Sequence, residues 1–335
     1  MAQQDNDNQK ITQLIKRNLS EIITGEELSD LISTRCPGAI TAYCGYETSG
    51  PVHIGTMIAV NKQVDFQNAG MKVKVLFADL HTYLNRKGTE AWIDEMIEYW
   101  TNAFKAIGLN KSNVEYVRGS DFQYNKEYIR DILELGLDIT LKRAIRSMQD
   151  IARDIEHARV SQMMYPLMQI ADMKALNIDL ALGGMEQRKI HVLAREIMEK
   201  INFKKPVCLH NPLLCSLQGP ATKMSSSKPE TMIRIEDSPG DIEKKLNKAF
   251  CPPGVEGNPI AEICRYIIFP KIGKLDIKRP EKFGGDVELN NYGDLQSAYL
   301  EKRLHPADLK KAAALALCDI LEPVRDAGLS YPANT

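Results

Sequence analysis

The sequence predicts an α/β protein: a doubly wound, Rossmann-like parallel sheet with a helical insertion and a mainly helical C-terminal domain. Four short apolar segments, at 40–44, 72–79, 114–117 and 178–182, are typical of strands buried in such a sheet. Between the first three, apolar residues recur at helical spacing, so strands and helices alternate as in βαβ units. After residue 237 helical periodicity dominates, which indicates a second domain.

Three predicted domains follow from these patterns. Residues 1–9 are expected to be disordered, a helix is expected from Lys10 to about Leu31, and a loose tail is expected from Gly328. The first predicted domain is an N-terminal helical arm (1–36), and the last is a helical C-terminal domain (235–335). Between them lies a Rossmann-like domain (37–234), which contains a helical insertion (about 122–164) and a mobile loop (about 217–230).

Composition narrows the class of protein. The chain has 335 residues, of which 44% are hydrophobic and 26% charged, which is typical of a globular protein of about two domains. A net charge of −1 means that any contact with nucleic acid should come from local basic patches. The polar N-terminus and the lack of a long apolar run predict a cytoplasmic protein with no membrane contact. Seven cysteines without a Cys-x-x-Cys pair, and scattered histidines, predict no zinc or other protein-bound metal.

A glycine-rich turn follows the first strand. Gly45 and Gly50 lie between that strand and a helix, and His53 and Gly55 lie where the helix begins. A helix that begins in such a loop offers unpaired N–H groups and a positive dipole end, which suits phosphate. The turn therefore predicts a phosphate-binding site, although a purely structural turn of this kind is common in α/β proteins.

Polar residues also stand where ligands of α/β proteins bind. Tyr165, Gln169 and Asp172 are spaced to share one helix face among methionines, which favours a polar stripe in an apolar pocket. His81 and Gln187 follow predicted strands, and the carboxyl ends of parallel strands are the usual binding edge. A structural loop role is the alternative for His81.

Two further segments carry basic residues. Lys223-Met-Ser-Ser-Ser227 lies in a Gly- and Pro-containing stretch, which predicts a mobile loop. The stretch 125–160 is helical and rich in arginine. It is either a solvated face or a surface that meets RNA phosphate or a second subunit.

The His-x-Gly turn and the Lys-Met-Ser-Ser-Ser loop, in this order, resemble the two signature motifs of class I aminoacyl-tRNA synthetases. From Lys10 to Val324 the chain resembles the tyrosyl-tRNA synthetases of the archaeal and eukaryotic kind. The matching segments are Phe77-Ala-Asp-Leu-His81, Tyr165-Pro-Leu-Met-Gln169, Gly183-Gly-Met-Glu-Gln-Arg-Lys-Ile-His191, Lys223-Met-Ser-Ser-Ser227 and His305-Pro-Ala-Asp-Leu-Lys310.

The resemblance implies a reaction and its partners. L-tyrosine and ATP would form tyrosyl-adenylate and pyrophosphate, and tyrosine would then pass to the 3′-terminal adenosine of the tyrosine tRNA. Mg²⁺ would arrive with ATP. The domain 37–234 would be catalytic, its insertion would form a homodimer contact and meet the acceptor stem, and the domain 235–335 would bind the anticodon.

The resemblance also implies roles for individual residues. Tyrosine would be bound by Tyr43, Glu47, Leu76, His81, Tyr165, Gln169, Asp172 and Gln187, with the phenol on Tyr43 and Asp172. ATP would be bound by Gly45, His53, Gly55, Lys223, Met224, Ser225, Ser226 and Ser227. Catalysis would rest on His53, Gly55, Thr56, Lys223, Ser225 and Ser226. The tRNA would contact Arg146, Arg188, Lys189, Phe283 and Asp308, with the last two at the first anticodon base.

Two positions depart from the common class I pattern. Thr56 stands where a second histidine is frequent, and threonine cannot carry positive charge. Ser226 stands where many class I enzymes have a second lysine, and the resemblance implies that serine is usual in this branch.

Three alternative functions remain open from the sequence. A tryptophanyl-tRNA synthetase has the same architecture, but Asp172 suits a phenolic hydroxyl better than an indole. A synthetase-like RNA-binding protein without catalysis would not need the Lys223 loop. A small-molecule nucleotidyltransferase would share the His-x-Gly turn but gives the helical C-terminal third no role.

Overall fold

The computed structural model describes residues 2–149, 159–226 and 228–332, with side chains from Gln9 onward. Within them a six-stranded sheet has the order β1-β6-β5-β2-β3-β4, and β1 is antiparallel to β6 while the other neighbours are parallel. Its strands are β1 (Glu21–Ile23), β2 (Thr41–Tyr46), β3 (Lys72–Phe77), β4 (Val114–Arg118), β5 (Leu180–Gly184) and β6 (Val207–Asn211). Two hairpins add β7 (Cys215–Ser216) with β8 (Gly219–Lys223), and β9 (Leu275–Ile277) with β10 (Val287–Leu289).

Helices cover the sheet and form most of the C-terminal part. They are α1 (Ala2–Lys16), α2 (Gly25–Thr34), α3 (Ile54–Asn68), α4 (Asp79–Leu84), α5 (Glu90–Ile107), α6 (Ser120–Gln123), α7 (Lys126–Asp138), α8 (Leu141–Ser147), α9 (Val160–Met163), α10 (Tyr165–Ala175), α11 (Arg188–Ile197), α12 (Pro239–Lys248), α13 (Pro259–Ile263), α14 (Phe269–Ile272), α15 (Tyr292–Leu300) and α16 (Pro306–Asp326). The predicted Rossmann-like fold with a helical C-terminal part is confirmed.

The strand order places a crevice beside β2. Strand β2 lies between β3 and β5, so the chain winds outward from this point in both directions. The loops that leave the carboxyl ends of β2 and β5 therefore separate, and open α/β sheets bind their ligands in the crevice so formed. The turn after Tyr46 and the turn after Gly184 border it.

Local capping explains several helix boundaries. Thr89 caps α5, since its hydroxyl accepts from Trp92 N, and Gly108 ends this helix with a φ of 115° that glycine tolerates. Ser238 caps α12 by accepting from Asp241 N at 3.1 Å, and Pro239 occupies the first position. These helix boundaries therefore depend on residues within a few positions of them.

The N-terminal prediction is wrong in two respects. Helix α1 begins at Ala2, where the sequence predicts disorder, and the single helix expected up to Leu31 is instead two helices with β1 between them. Asn18, with a φ of 58°, lies in the break between α1 and β1. Strand β1 pairs with β6, so its hydrogen bonds depend on residues far along the chain.

The C-terminal part packs directly on the sheet domain. One apolar cluster contains Ile15 and Phe104 beside the sheet as well as Leu246 and Leu317 of α12 and α16. As far as the structure describes it, to Pro332, the tail after Gly328 is not loose as predicted, because the ring of Tyr331 packs edge-on to Tyr99, with 5.7 Å between the ring centroids. The domain boundaries stay a prediction.

Candidate active site

A cavity of about 330 Å³ opens in the crevice beside β2. Its walls come from the turn after β2, the start of α3, the ends of β5 and β6, and the loop after β8. The predicted site residues that line it are Gly45, Glu47, His53, Gly55, Thr56, Tyr165, Gln187, Lys223, Met224 and Ser226.

The glycine-rich turn positions His53 at the entrance of α3. His53 is the N-cap of this helix, and its Nδ1 accepts a hydrogen bond from Gly55 N at 3.1 Å. Burial lowers the pKa of His53 to about 4. The ring is therefore neutral at pH 7, and because Nδ1 accepts, the proton lies on Nε2. A Cβ at position 55 would lie 2.8 Å from the imidazole, which explains the glycine.

The two motifs contact each other although they are far apart in sequence. A Cβ added to Gly50 would lie 2.7 Å from Ser226 Oγ, and one added to Gly55 would lie 3.7 Å from Met224 Sδ. Met224 N donates to Leu214 O at 2.8 Å, which holds the end of the β7–β8 hairpin over the cavity. Lys223 is exposed at this end. Ser225 does not line the cavity, and Ser227 lies outside the described residues.

A buried polar cluster lies around α10. Asp172 is 1% exposed, and its Oδ1 accepts from Gln123 Nε2 at 2.8 Å and from Tyr128 Oη at 2.7 Å. Its Oδ2 lies 3.9 Å from His81 Nε2. Burial raises the pKa of the Asp172 carboxyl to about 7, although the two hydrogen bonds oppose this rise. Burial, and then the negative charge of Asp172, raise the pKa of Tyr43 well above its usual value.

The other predicted tyrosine contacts join this cluster to the cavity. The Tyr165 ring meets His81 edge-on with 4.8 Å between centroids, and burial lowers the pKa of His81 to about 4. Gln169 Nε2 donates to Gln187 Oε1 at 3.2 Å. Leu76, on β3, is fully buried in the same apolar cluster as Tyr43.

Sequence reasoning missed four residues of the site. Gln123 and Tyr128 hold Asp172, and Asn85 donates to Glu47 Oε2 at 3.3 Å. Asn211 lines the cavity, and its buried side-chain amide has no hydrogen-bond partner within the described residues. Its position at the carboxyl end of β6 is the signal that could have found it. Gln123 and Tyr128 belong to α6 and α7, and Asn85 follows α4; the sequence does not show where these helices lie.

The predicted acceptor-stem residues meet at a second cavity of about 380 Å³. Arg146, Arg188 and Lys189 line it together with Arg143. Arg143 pairs with Glu196, and the guanidinium of Arg188 donates to both carboxylate oxygens of Glu21 at 2.8 and 2.9 Å. This groove between α8 and α11 is therefore basic but partly neutralised.

Phe283 and Asp308 lie in the C-terminal part, linked through Arg279. Arg279 Nη1 is 3.9 Å from Asp308 Oδ2, and a Cβ at Gly284, next to Phe283, would lie 3.2 Å from Arg279 Nη2. Phe283 is 61% exposed. His305, not Asp308, is the N-cap of α16, because its Nδ1 accepts from Ala307 N. Asp308 lies in the first turn of this helix instead.

Comparison with known proteins decides the family. A model of the class I tRNA synthetases for tryptophan and tyrosine matches residues 37–322. The chain belongs to this family. The tyrosine–tRNA ligases of Methanoculleus marisnigri and Methanosarcina acetivorans are 50% and 47% identical to it over 314 residues, 94% and 93% of this chain and 97% and 98% of theirs. The tyrosyl-tRNA synthetase of Archaeoglobus fulgidus, a crystal structure complexed with L-tyrosine, has a TM-score of 0.91 at 44% identity and covers 96% of this chain and 99% of its own.

These findings confirm the resemblance to tyrosyl-tRNA synthetases. No helix in the described residues is long and apolar enough to cross a membrane. In the same part of the chain, no three His, Cys, Asp or Glu side chains are grouped to hold a metal ion. The prediction that the protein binds no zinc remains a prediction.

Proposed function

We propose that the chain is a tyrosine–tRNA ligase, which activates L-tyrosine with ATP and transfers it to the tyrosine tRNA. The observation that carries this is the buried Asp172, which is held by Gln123 and Tyr128. It lies beside His81, whose ring contacts Tyr165 in the wall of the cavity between the two motifs. A buried carboxylate needs a hydrogen-bond donor, and a phenolic hydroxyl supplies one. Relatives that share about half of its residues are tyrosine ligases, so the tryptophan alternative is not favoured.

The phenol of tyrosine is bound at the buried end of the site. Both hydrogen bonds from protein groups reach Asp172 Oδ1, so Oδ2 accepts from the substrate hydroxyl, with Tyr43 beside it. The amino group of tyrosine lies nearer the open cavity, where Tyr165, Gln169 and Gln187 present oxygen atoms. Glu47 adds negative charge on the same side.

ATP occupies the wider part of the cavity. Its phosphates lie at the N-terminus of α3, where the helix dipole favours anions. His53 donates from Nε2, Gly45 and Gly55 leave room for the nucleotide, and Thr56 contributes a hydroxyl. Lys223, with Met224 and the serines that follow, closes over the phosphates. Mg²⁺ arrives with ATP as part of the substrate.

Adenylate formation is an in-line displacement at the α-phosphorus. A carboxylate oxygen of tyrosine forms the new P–O bond, and the bond to the β-phosphate oxygen breaks to release pyrophosphate. The protein needs no side-chain nucleophile, because positioning of two substrates and stabilisation of phosphate charge supply the rate. His53 is neutral, so Lys223 is the group that places a positive charge on the leaving pyrophosphate.

The tRNA is bound at two places. The basic groove of Arg146, Arg188 and Lys189 contacts the acceptor stem, since guanidinium groups pair well with phosphate. In the C-terminal domain, Phe283 stacks on the first anticodon base and Asp308 accepts from its Watson–Crick edge. The exposed ring of Phe283 is available for such stacking.

The helical insertion forms a homodimer contact. Ile129, Leu133 and Leu137 lie four residues apart along α7 and are 42%, 65% and 81% exposed. Such a row of exposed apolar side chains marks an interaction surface. Leu141 and Val160 extend it at 71% and 83% exposure. A cytoplasmic location follows from the role in translation.

One assay tests the proposed function against its alternatives. ATP–pyrophosphate exchange is measured with each of the twenty amino acids in turn. Exchange with tyrosine alone is the expected result. Exchange with tryptophan would identify the sister enzyme. No exchange with any amino acid would indicate a silent RNA-binding protein, and exchange without an amino acid would indicate a different nucleotidyltransferase.

A further inference from the structure

Helix α5 supports the glycine-rich turn through two adjacent side chains. Tyr99 Oη accepts a hydrogen bond from Val52 N at 3.1 Å, and Trp100 Nε1 donates to Gly50 O at 2.9 Å. Tyr99 Oη also donates to Glu236 Oε2 at 3.2 Å. One hydroxyl therefore connects the turn that carries His53 with the segment that follows the second motif.

These two chain segments also pair through their backbones. Ile54 N donates to Ile233 O at 3.0 Å, Ile235 N donates to Val52 O at 3.2 Å, and His53 lies opposite Arg234. The second motif ends only a few residues before this pairing. The pairing thus sets where the loop of Lys223 begins and ends relative to His53.

Tyr331, after α16, covers the outer side of this junction. Its ring packs edge-on against Tyr99, with 5.7 Å between the centroids and 78° between the planes. The Arg234 guanidinium lies over the Tyr331 ring, 5.6 Å from its centroid. Aromatic pairs and cation–π contacts of this geometry hold their partners in place.

We infer that Tyr331 is a positioning residue for the ATP half of the reaction. By holding Arg234 and Tyr99 together it keeps the segment 233–235 paired with 52–54, and so keeps the second motif in register with His53. Loss of its ring removes the contact that positions Arg234 and so weakens the binding of ATP. The tyrosine pocket around Asp172 contains none of these contacts and stays unchanged. The inference rests on the proposed function.

The test compares Tyr331→Ala and Tyr331→Phe in tyrosine-dependent pyrophosphate exchange. The alanine variant should raise the KM for ATP about three- to tenfold, the size expected for loss of an aromatic and a cation–π contact, with the KM for tyrosine unchanged. The phenylalanine variant keeps both ring contacts and should behave like the parent. Tyr292→Ala is the control, since it removes a ring 4.8 Å from Arg265, elsewhere in the C-terminal part.

Three results would overturn the inference. They are an unchanged KM for ATP in Tyr331→Ala, an equal rise in both KM values, and a phenylalanine variant as impaired as the alanine variant. If Tyr331→Ala lowers the melting temperature, a double-mutant cycle with Arg234→Gln tests whether the two residues act together. Additive effects of the two substitutions on the KM for ATP would contradict the inference. Lack of exchange by the parent protein would contradict the proposed function instead.

Discussion

At the level of single residues, we propose that specificity rests on the Asp172 carboxylate, which protein groups contact through one oxygen. Gln123 and Tyr128 fix the position of Asp172 through Oδ1, and burial makes its negative charge costly. A substrate hydroxyl removes part of that cost, whereas an unsubstituted ring does not. The same residue is therefore expected to set both the choice of amino acid and the pH dependence of its binding.

Replacement of Asp172 by alanine should narrow the preference for tyrosine over phenylalanine. An unpaired buried acceptor costs about 1–3 kcal/mol, so the ratio of the two kcat/KM values should fall about 5- to 150-fold. Pyrophosphate exchange with each amino acid measures it. Tyr128→Phe is the matched control, because it removes one hydrogen bond to Asp172 and keeps the carboxylate. An unchanged ratio in the alanine variant would remove Asp172 from this role.

Tyrosine binding should weaken as the pH falls through about 7. The pKa of Asp172 is raised to about 7, so the carboxylate that accepts the phenol is lost below this pH. His81, Tyr43, Tyr128 and Tyr165 face it, and His81, with a pKa of about 4, stays neutral. Between pH of about 8 and about 6 the KM for tyrosine should rise roughly tenfold. Asp172→Asn should abolish this dependence, and its persistence there would assign the titration to another group.

At the level of secondary-structure elements, the β7–β8 hairpin brings the second motif to the cavity. The hairpin is tied to the C-terminal part, since Cys215 N donates to Glu262 Oε2 at 2.9 Å and Phe250 N donates to Leu217 O, in the turn, at 2.7 Å. Lys223 pairs with Cys215 at the open end of the hairpin and is exposed. A fixed hairpin followed by an exposed segment suits a loop that closes on a nucleotide.

Lys223→Ala should slow adenylate formation more than it weakens tyrosine binding. The lysine meets charge that develops on the leaving pyrophosphate, and loss of such a contact costs about 10²- to 10³-fold in rate. Rapid-mixing measurements of adenylate formation and equilibrium binding of tyrosine separate the two effects. Lys244→Ala, on the exposed side of α12, is the control for loss of one positive charge. Adenylate formation at the parental rate would reject the role.

The start of α16 offers a test of anticodon recognition. Asp308→Ala should leave tyrosine-dependent pyrophosphate exchange intact, because the cavity lies in the other domain. It should lower kcat/KM for tRNA, and by less for a tRNA whose first anticodon base is already changed. Asp308 also pairs with Arg279, so the melting temperature is measured in parallel. Equal losses on both tRNAs, with a fall in melting temperature, would favour a structural role.

Across the molecule as a whole, a shared apolar cluster joins the helical C-terminal part to the sheet domain. The proposed anticodon residues and the proposed adenylate site therefore lie on parts of the chain that share one apolar core. The helical insertion lies apart from this cluster and turns an apolar row of α7 to the outside. This row is where a second copy of the chain is expected to bind.

Leu133→Asp combined with Leu137→Asp should convert a dimer to a monomer. Two aspartates buried in an apolar interface would destabilise the dimer, whereas two aspartates on a solvent-exposed surface would remain hydrated at little cost. Light scattering after size exclusion measures the mass. Leu315→Asp, on α16 and 58% exposed, is the matched control and should stay dimeric. A monomeric parent protein at micromolar concentration, or a dimeric double variant, would contradict this interface.

Elements that depend on residues close to them in the chain could be predicted from the sequence alone. Caps such as Ser238 and Gly108, the periodicity of α5 and the turn at His53 depend on residues a few positions away. The polar face of α10 was predictable for the same reason. The motifs in order were sufficient to indicate the family.

Features that depend on distant partners could be found only in the folded chain. Strand β1 exists because it pairs with β6, and Asp172 is positioned by Gln123 and Tyr128 from a different part of the chain. Tyr331 contacts Tyr99 and Arg234 across the domain junction, which no local pattern reveals. Hydrogen bonds and ring contacts of this kind need atoms within a few ångströms, and only folding brings such residues together.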